Sequence, residues 1–218
     1  MANSELGLID TSDMPAVHRV FRSSLAAGPE LVASAAGDAE RRGLIANYFT
    51  NLMEFLDVHH DGEEKIVFPL LSARASEQVA LIQEAERQHG EVLGQMEAVK
   101  ASMVQWQSMG DDEATKAVEA LRSLDELLLP HLDQEEEMIL PLASRHLSAE
   151  EWGQLPGHAM GNFGGDKVWL IIGLIRENFT PEQRDGMLEH MPPPARQMWE
   201  TMGEASFADL IAQVRSNV

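Results

Sequence analysis

Two similar segments of this chain carry residues that can bind metal ions. They span residues 59–69 and 131–141 and share a His, an Asp, two Glu and a Pro in register. Each contains the pattern His-x-x-x-Glu, with His59 and Glu63 in the first copy and His131 and Glu135 in the second. Residues four apart lie on the same face of a helix, one turn from each other. An imidazole and a carboxylate on one face, supplied twice, can form a metal site between helices.

Helical periodicity surrounds both segments and predicts the elements that position them. Helices are predicted from Asp13 to about Ala27, from Asp38 to about Ala75, from Ser76 to the turn at 109–112, and from about Glu113 to Arg145. Gly28 and Pro29 should end the first helix, and a connector should follow to Gly37. Pro130 should kink the fourth helix. No stretch sustains a period of two, so we expect an all-α protein without a sheet.

A lone histidine precedes each repeated segment at a closely similar distance. His18 lies in the first predicted helix, and His89 lies in the third. The chain therefore forms two helical hairpins, each with a lone His on its first helix and His-x-x-x-Glu on its second. Hairpins with apolar faces pair into an antiparallel four-helix bundle. Such a bundle would bring four imidazoles and two carboxylates into its interior.

Burial of these carboxylates requires a compensating charge. An unpaired buried carboxylate costs on the order of several kcal/mol, and bound cations would offset that cost. We expect two ions, with His18 and His59 on one, His89 and His131 on the other, and Glu63 and Glu135 bridging both. About four protein ligands per ion leave positions for water, dioxygen, peroxide or nitric oxide. Nitrogen and oxygen ligands without thiolate suit iron, manganese or zinc.

This set of residues resembles the HHE cation-binding domain of the hemerythrin family. The resemblance rests on His59-x-x-x-Glu63-Glu64 with Phe68-Pro69, on His131-x-x-x-Glu135-Glu136 with Leu140-Pro141, and on His18 and His89. It covers roughly residues 13–146, which we expect to form the bundle, with residues 147–218 as a C-terminal helical extension. The resemblance implies a non-haem centre of two iron ions joined by an oxo or hydroxo bridge, with manganese or zinc as alternatives.

The chain departs from the oxygen-carrying hemerythrins at two positions. The carriers place a second His one turn after the ligand of the third helix, where this chain has Leu93. Their second bridging carboxylate is an Asp in a His-x-x-x-x-Asp spacing, where this chain has Glu135. One ion should therefore have fewer ligands than in the carriers, which favours reaction with a small molecule over reversible carriage.

The functional expectation follows from the resemblance and from these departures. The longer bacterial members that the chain resembles are associated with peroxide or nitric oxide chemistry and with oxygen or redox sensing. We expect a di-iron protein that binds, and reduces or senses, O2, H2O2 or NO. As an enzyme it would be a peroxidase- or catalase-like or NO-reacting oxidoreductase. We expect no catalytic residue beyond the metal ligands and no other cofactor.

Two other functions remain open from the sequence. A ferritin-like protein for iron oxidation or storage would use Glu-x-x-His pairs, and the chain has one at Glu86 and His89. A metal- or redox-responsive interaction module would use the extension, whose large aromatic residues are Trp152, Trp169, Trp199 and Phe207. The helices predicted for the C-terminal extension begin at Ser148, Asp166, Thr180 and Ala195. A flexible glycine-containing connection is expected between 156 and 165.

Several polar residues near the repeats have blander interpretations. His60 points roughly 100° away from His59 on a helix, so it is expected to support a ligand or lie at the surface, with ligation as an alternative. Glu64 and Glu136 are expected to be solvated, or else to touch the metals or orient the ligands. The remaining residues are expected to have surface, structural or core roles: His146, His158, His190 and Tyr48. As alternatives, His158 could approach the site and Tyr48 could line a pathway to it.

Composition excludes several classes of partner. The formal charge is -20, from 36 acidic and 16 basic side chains, so the chain repels nucleic acid and anionic lipid. It contains no Cys, which excludes disulfides and iron–sulfur clusters. We see no signal peptide, and the longest apolar run is too short to span a bilayer. We therefore expect a cytoplasmic protein with a small diatomic or peroxide ligand, in an oligomeric state that the sequence leaves open.

Overall fold

The computed structural model of the chain describes residues 7–163 and 167–216, and all regular elements in these ranges are helical. The α-helices are α1 (Asp13–Ala26), α2 (Gly28–Ala33), α3 (Ala39–Gly62), α4 (Phe68–Arg74), α5 (Val79–Met109), α6 (Ala114–Gln134), α7 (Leu140–His146), α8 (Ala149–Trp152), α9 (Gln154–Asn162), α10 (Lys167–Asn178), α11 (Pro181–His190), α12 (Pro193–Met198) and α13 (Glu204–Arg215). The predicted all-α class is confirmed. No helix within the described ranges is long and apolar enough to cross a membrane.

Four helical rods form the bundle. They are α1, α3 continued by α4, α5, and α6 continued by α7. α5 packs against both α3 and α6, and α1 packs against α6. The inward faces bury Phe21, Leu56, Met96 and Leu128 completely. Each such side chain stabilises the fold by about 1.5–3 kcal/mol relative to exposure, so the predicted apolar faces hold the rods together.

Each repeated segment contains one π-helical turn, at Glu63–Val67 and at Glu135–Ile139. The amides of Phe68 and Leu140 donate to the carbonyls of Glu63 and Glu135, five residues earlier. Pro69 and Pro141 follow at once and have no N–H, so the ordinary bond to the residue four before them cannot form. The wider turn accommodates this loss and begins at the repeated glutamate in both copies. Such turns frequently mark functional sites.

Two predictions about helix boundaries in the first half were wrong. Gly28 and Pro29 do not open an irregular connector but begin α2, because proline fits the first turn, where its missing N–H is not needed. The third rod does not begin as an α-helix at Ser76; a short 3-10 turn at Ser76–Gln78 precedes α5 instead. α3 does begin where predicted, directly after Asp38, whose Oδ1 caps the helix by accepting from the backbone N–H of Arg41 at 3.0 Å.

The C-terminal helices follow the predicted caps but not the predicted flexible connection. Capping boxes pair Ser148 with Glu151 at α8 and Thr180 with Gln183 at α11. Residues 156–162 of the connection that was expected to be flexible lie instead in α9. The rest of the predicted connection, including Gly164 and Gly165, and the predicted start of α10 at Asp166 lie outside the described residues.

The extension packs on the bundle as predicted. α10 lies against α1, α3 and α13, and Trp169, Trp199 and Phe207 belong to the same apolar core as the bundle residues. Arg41 of α3 also donates to the backbone carbonyls of Gln213 and Val214 at 2.9 and 3.1 Å. These contacts add hydrogen bonds to carbonyl groups at the end of α13, where the helix supplies no amide partner of its own.

α10 and α13 are in close contact at Gly173. A Cβ atom at this position would lie 2.1 Å from ring atoms of Phe207, which is itself buried. We expect Gly173→Ala to lower the free energy of unfolding by about 1–3 kcal/mol, because overpacking forces helices apart. Urea denaturation measures this change.

Gly186→Ala is the matched control. Gly186 also lies inside a helix, α11, and a Cβ atom there would meet nothing within 4 Å. This variant should be neutral or more stable by up to about 1 kcal/mol. Equal stability of the two variants would contradict the close helix contact.

Candidate metal centre

All six side chains predicted as metal ligands are buried inside the bundle. They are His18, His59, Glu63, His89, His131 and Glu135. α1, α3, α5 and α6 each contribute one of the four predicted histidines, and the two glutamates are the first residues of the π turns. The two hairpins therefore bring their repeated residues to a common interior, as the spacing predicts.

The donor atoms form two groups. The four-residue group consists of His18, His59, Glu63 and Glu135, whose candidate ligand atoms all lie within 4.8 Å of one another. The three-histidine group consists of His60, His89 and His131 and satisfies the same limit. The two predicted histidine pairs, His18 with His59 and His89 with His131, thus fall into separate groups. His60 belongs to the second group, although the sequence favours metal ligation by this residue only as an alternative.

Glu135 lies between the two groups. Its Oε2 is 3.6 Å from Nε2 of His18, and its Oε1 is 3.4 Å from Nε2 of His89 and 3.3 Å from Nε2 of His131. Two atoms bound at right angles to one ion, each about 2.1 Å away, are roughly 3 Å apart. The two oxygens of Glu135 therefore lie at distances from both groups that would suit a bridging carboxylate.

Glu63 also reaches both groups. Its Oε2 lies 3.8 Å from Nε2 of His59 and 3.6 Å from Nε2 of His89. Burial raises the pKa of Glu63 well above its ordinary value, and the charge of Glu135 raises it further. A cation at Glu63 therefore competes with a proton for the same oxygen.

Six inward-facing polar atoms lack hydrogen-bond partners among the described residues. They are Nε2 of His18, His59, His60 and His131 and Oε2 of Glu63 and Glu135. Each buried polar atom left unpaired costs about 1–3 kcal/mol. Cations between the rods would pair with all of these atoms, so the residues present fit the metal ions that the bundle implies.

The protonation of the histidines favours cation binding. Burial lowers the pKa of His59 and His60 well below the usual value and lowers the pKa of His131 to about 4. These imidazoles are neutral near pH 7, and the neutral ring is the form that binds a metal. For Glu135, burial acts to raise the pKa, whereas contacts with His89 and His131 lower it when those imidazoles are protonated.

The outward-facing nitrogens of three histidines have polar partners. Nδ1 of His18 lies 2.9 Å from Oε1 of Glu136, and Nδ1 of His89 lies 2.9 Å from Oε1 of Glu64. A protonated Nδ1 donates to these oxygens, which leaves the lone pair of Nε2 directed at the interior. Glu64 and Glu136 therefore orient the imidazoles and do not merely lie in solvent. Each belongs to the opposite hairpin from the histidine it holds.

Gln88 supplies the third such contact and was not singled out from the sequence. Its Oε1 lies 3.0 Å from Nδ1 of His131, and its amide nitrogen donates to Oε1 of Gln134 at 2.8 Å. No spacing marks this residue, because the contact depends on how α5 and α6 are rotated against each other.

His60 is buried, so the interpretation as a surface residue was wrong. The rings of His60 and His89 stack with centroids 4.0 Å apart, whereas the ring of His59 lies edge-on to His18 at 5.2 Å. The neighbouring histidines thus face different helices, His59 toward α1 and His60 toward α5. Because α3 is enclosed on two sides, it buries two adjacent residues. The burial of His60 depends on this enclosure, which the local sequence does not show.

The other histidines lie outside both groups. Nε2 of His158 is 2.9 Å from Oδ2 of Asp61, and a Cβ atom at Gly62 would be 3.2 Å from Leu155 and 3.3 Å from the His158 ring. α9 therefore covers α3 at the residue before Glu63. His146 is half-buried and His190 is exposed. Tyr48 is a core residue, with its hydroxyl 2.7 Å from Oγ of Ser24.

The fold and the site together define a helical-bundle protein that binds metal cations. The model of the family described as the hemerythrin HHE cation-binding domain matches residues 10–143. This match covers more than half of the chain, so the protein belongs to the hemerythrin HHE family. Comparisons with curated proteins and with solved structures found no significant match.

The contact between Glu64 and His89 generates a prediction. Glu64→Ala should lower metal affinity roughly 10- to 100-fold, because His89 loses the acceptor that fixes its ring and raises its basicity. Competition with a chelator of known affinity measures the change. Glu137→Ala is the control, since Glu137 is exposed and carries the same charge in the second repeat. Equal affinities in both variants would show that the Glu64 contact does not support the site.

Proposed function

We propose that this protein is a non-haem di-iron protein that binds a small oxidant, O2, H2O2 or NO, and reduces or senses it. The observation that carries the proposal is the double set of buried, unpartnered nitrogen and carboxylate atoms on four rods. Membership of a cation-binding family supports the same conclusion.

The donor types are compatible with iron. Imidazole and carboxylate ligands without thiolate suit iron, manganese and zinc, and iron is the metal that the proposed redox chemistry requires. Two carboxylates placed between two histidine groups are suited to hold two ions side by side. Bound iron would supply one-electron redox steps and coordination positions for a diatomic or peroxide ligand.

The surroundings of the donor groups favour a small, weakly polar molecule. The ring of Phe21 lies 5.4 Å from that of His59, and the ring of Phe68 stacks on His89 at 5.3 Å. Phe55 extends this wall toward Phe163. Apolar walls of this kind restrict the entry of water and ions to a metal site. Dioxygen and nitric oxide are small, uncharged and weakly polar, so such a wall admits them more readily than hydrogen peroxide, which is as polar as water.

The ferritin-like alternative gains no support from the site. It requires Glu86 to act as a ligand together with His89. Glu86 is exposed and belongs to neither donor group, whereas His89 faces the interior. The one Glu-x-x-His pair of the chain is therefore split between solvent and core.

Metal analysis followed by ligand addition tests the proposal. Protein purified under iron-replete conditions should hold two iron ions per chain. After anaerobic reduction, O2, H2O2 and NO are added separately, and at least one should change the visible spectrum in proportion to bound iron. Well under one metal ion per chain, or a reduced iron centre inert to all three, would contradict the proposal.

Variants link this result to the predicted ligands. His59→Ala and Glu63→Ala should lose iron and unfold at lower temperature than the iron-loaded parent, because metal binding contributes to folding stability. His190→Ala removes an exposed histidine outside both groups and should retain both ions.

A metal-responsive interaction module is a second candidate, favoured by the contact of α9 with Gly62. A shift of the π turn at Glu63 would move the surface on which Leu155 and His158 lie. Limited proteolysis should then cut α9 at different rates in the metal-free, reduced and oxidised proteins. Identical cleavage rates in all three states would remove this candidate.

A further inference from the structure

We infer that His60 is a nitrogen ligand of the ion held by His89 and His131. The inference rests on the proposed function, since it adds a ligand to the same centre. The sequence has Leu93 one turn after His89, where the oxygen carriers have a further histidine, so one imidazole is missing from that helix. His60 lies in the same donor group as His89 and His131 and can supply an imidazole in its place.

Position 93 cannot supply that imidazole in this fold. Leu93 is 45% exposed, while His89 is 3% exposed. α5 therefore turns the residue one turn after His89 toward solvent. A third nitrogen for this group has to come from another helix.

His60 on α3 provides it. Its ring is nearly parallel to that of His89, with an interplanar angle of 12° and centroids 4.0 Å apart. It lies edge-on to His131 with centroids 5.3 Å apart. One ring nitrogen of each of the three histidines lies within 4.8 Å of the others.

A purely structural role for His60 leaves its Nε2 unexplained. The side chain is 5% exposed, and Nε2 has no hydrogen-bond partner among the described residues. A core position that needed only stacking and volume would be better filled by an apolar ring, because an unpaired buried nitrogen is destabilising. A metal ion shared with His89 and His131 satisfies this nitrogen.

Counting His60 as a ligand changes which of the two ions has fewer protein ligands. With His60, the second ion has three imidazoles, and with Glu63 and Glu135 it has five protein ligands. The ion of His18 and His59 has two imidazoles and the same two carboxylates, and so four. Replacement of the carriers' histidine by Leu93 therefore does not lower the ligand count, contrary to the expectation from sequence.

Two variants of His60 test the inference by metal content. His60→Phe keeps a stacked ring but removes the nitrogen, and His60→Ala leaves a space. Both should lower the affinity for the second iron by at least about tenfold, and free imidazole should restore it only in His60→Ala. Phe68→Leu is the control, because it alters stacking on His89 without removing a donor and should keep both ions.

A measurement on the unaltered protein covers the case in which a variant fails to fold. In cobalt-substituted protein, five strongly shifted, exchangeable imidazole N–H proton signals are expected, one per bound histidine. Four signals, or two tightly held ions in both His60 variants, would overturn the inference. A wild-type chain that holds no pair of ions would instead overturn the proposed function itself.

Discussion

Five histidines and two glutamates occupy the middle of a bundle whose other interior residues are largely apolar. Their inward atoms cannot all be satisfied by one another, because most are separated by more than hydrogen-bond geometry allows. Burying such groups costs free energy unless a positive charge joins them. Three features direct the donor atoms to the interior. They are the rotation of each rod, the position of each π turn and the outer contacts of the imidazoles.

The duplication in the sequence explains how four separate rods reach that arrangement. In both copies, the glutamate begins a π turn that a following proline imposes, so the same local chemistry directs both carboxylates inward. The outer contacts then cross between copies. Glu64 of the first hairpin holds His89 of the second, and Glu136 of the second holds His18 of the first. Each hairpin therefore fixes a buried histidine of its partner, which couples bundle assembly to the orientation of these imidazoles.

The sequence predicts those parts of the structure that depend on local spacing. The two His-x-x-x-Glu units with His18 and His89 indicate the bundle, and caps such as Asp38 and Ser148 indicate helix starts. His60 and Gln88 depend on how one rod is rotated against the next, and no local pattern encodes that rotation. Residues 154–162 carry Pro156 and Gly157, which favour a turn, but packing of Leu155 and His158 on Gly62 stabilises a helix there. Tertiary contact thus overrides local preference at the point where the extension meets the site.

The most direct test of a dinuclear centre between the rods is anomalous X-ray scattering from crystals of the iron-loaded protein, measured on both sides of the iron absorption edge. Two peaks are expected inside the bundle, one within bonding distance of Nε2 of His18 and His59 and the other of Nε2 of His89 and His131. No peak in the interior, or iron only at exposed carboxylates, would contradict the view that bound cations hold these buried groups together.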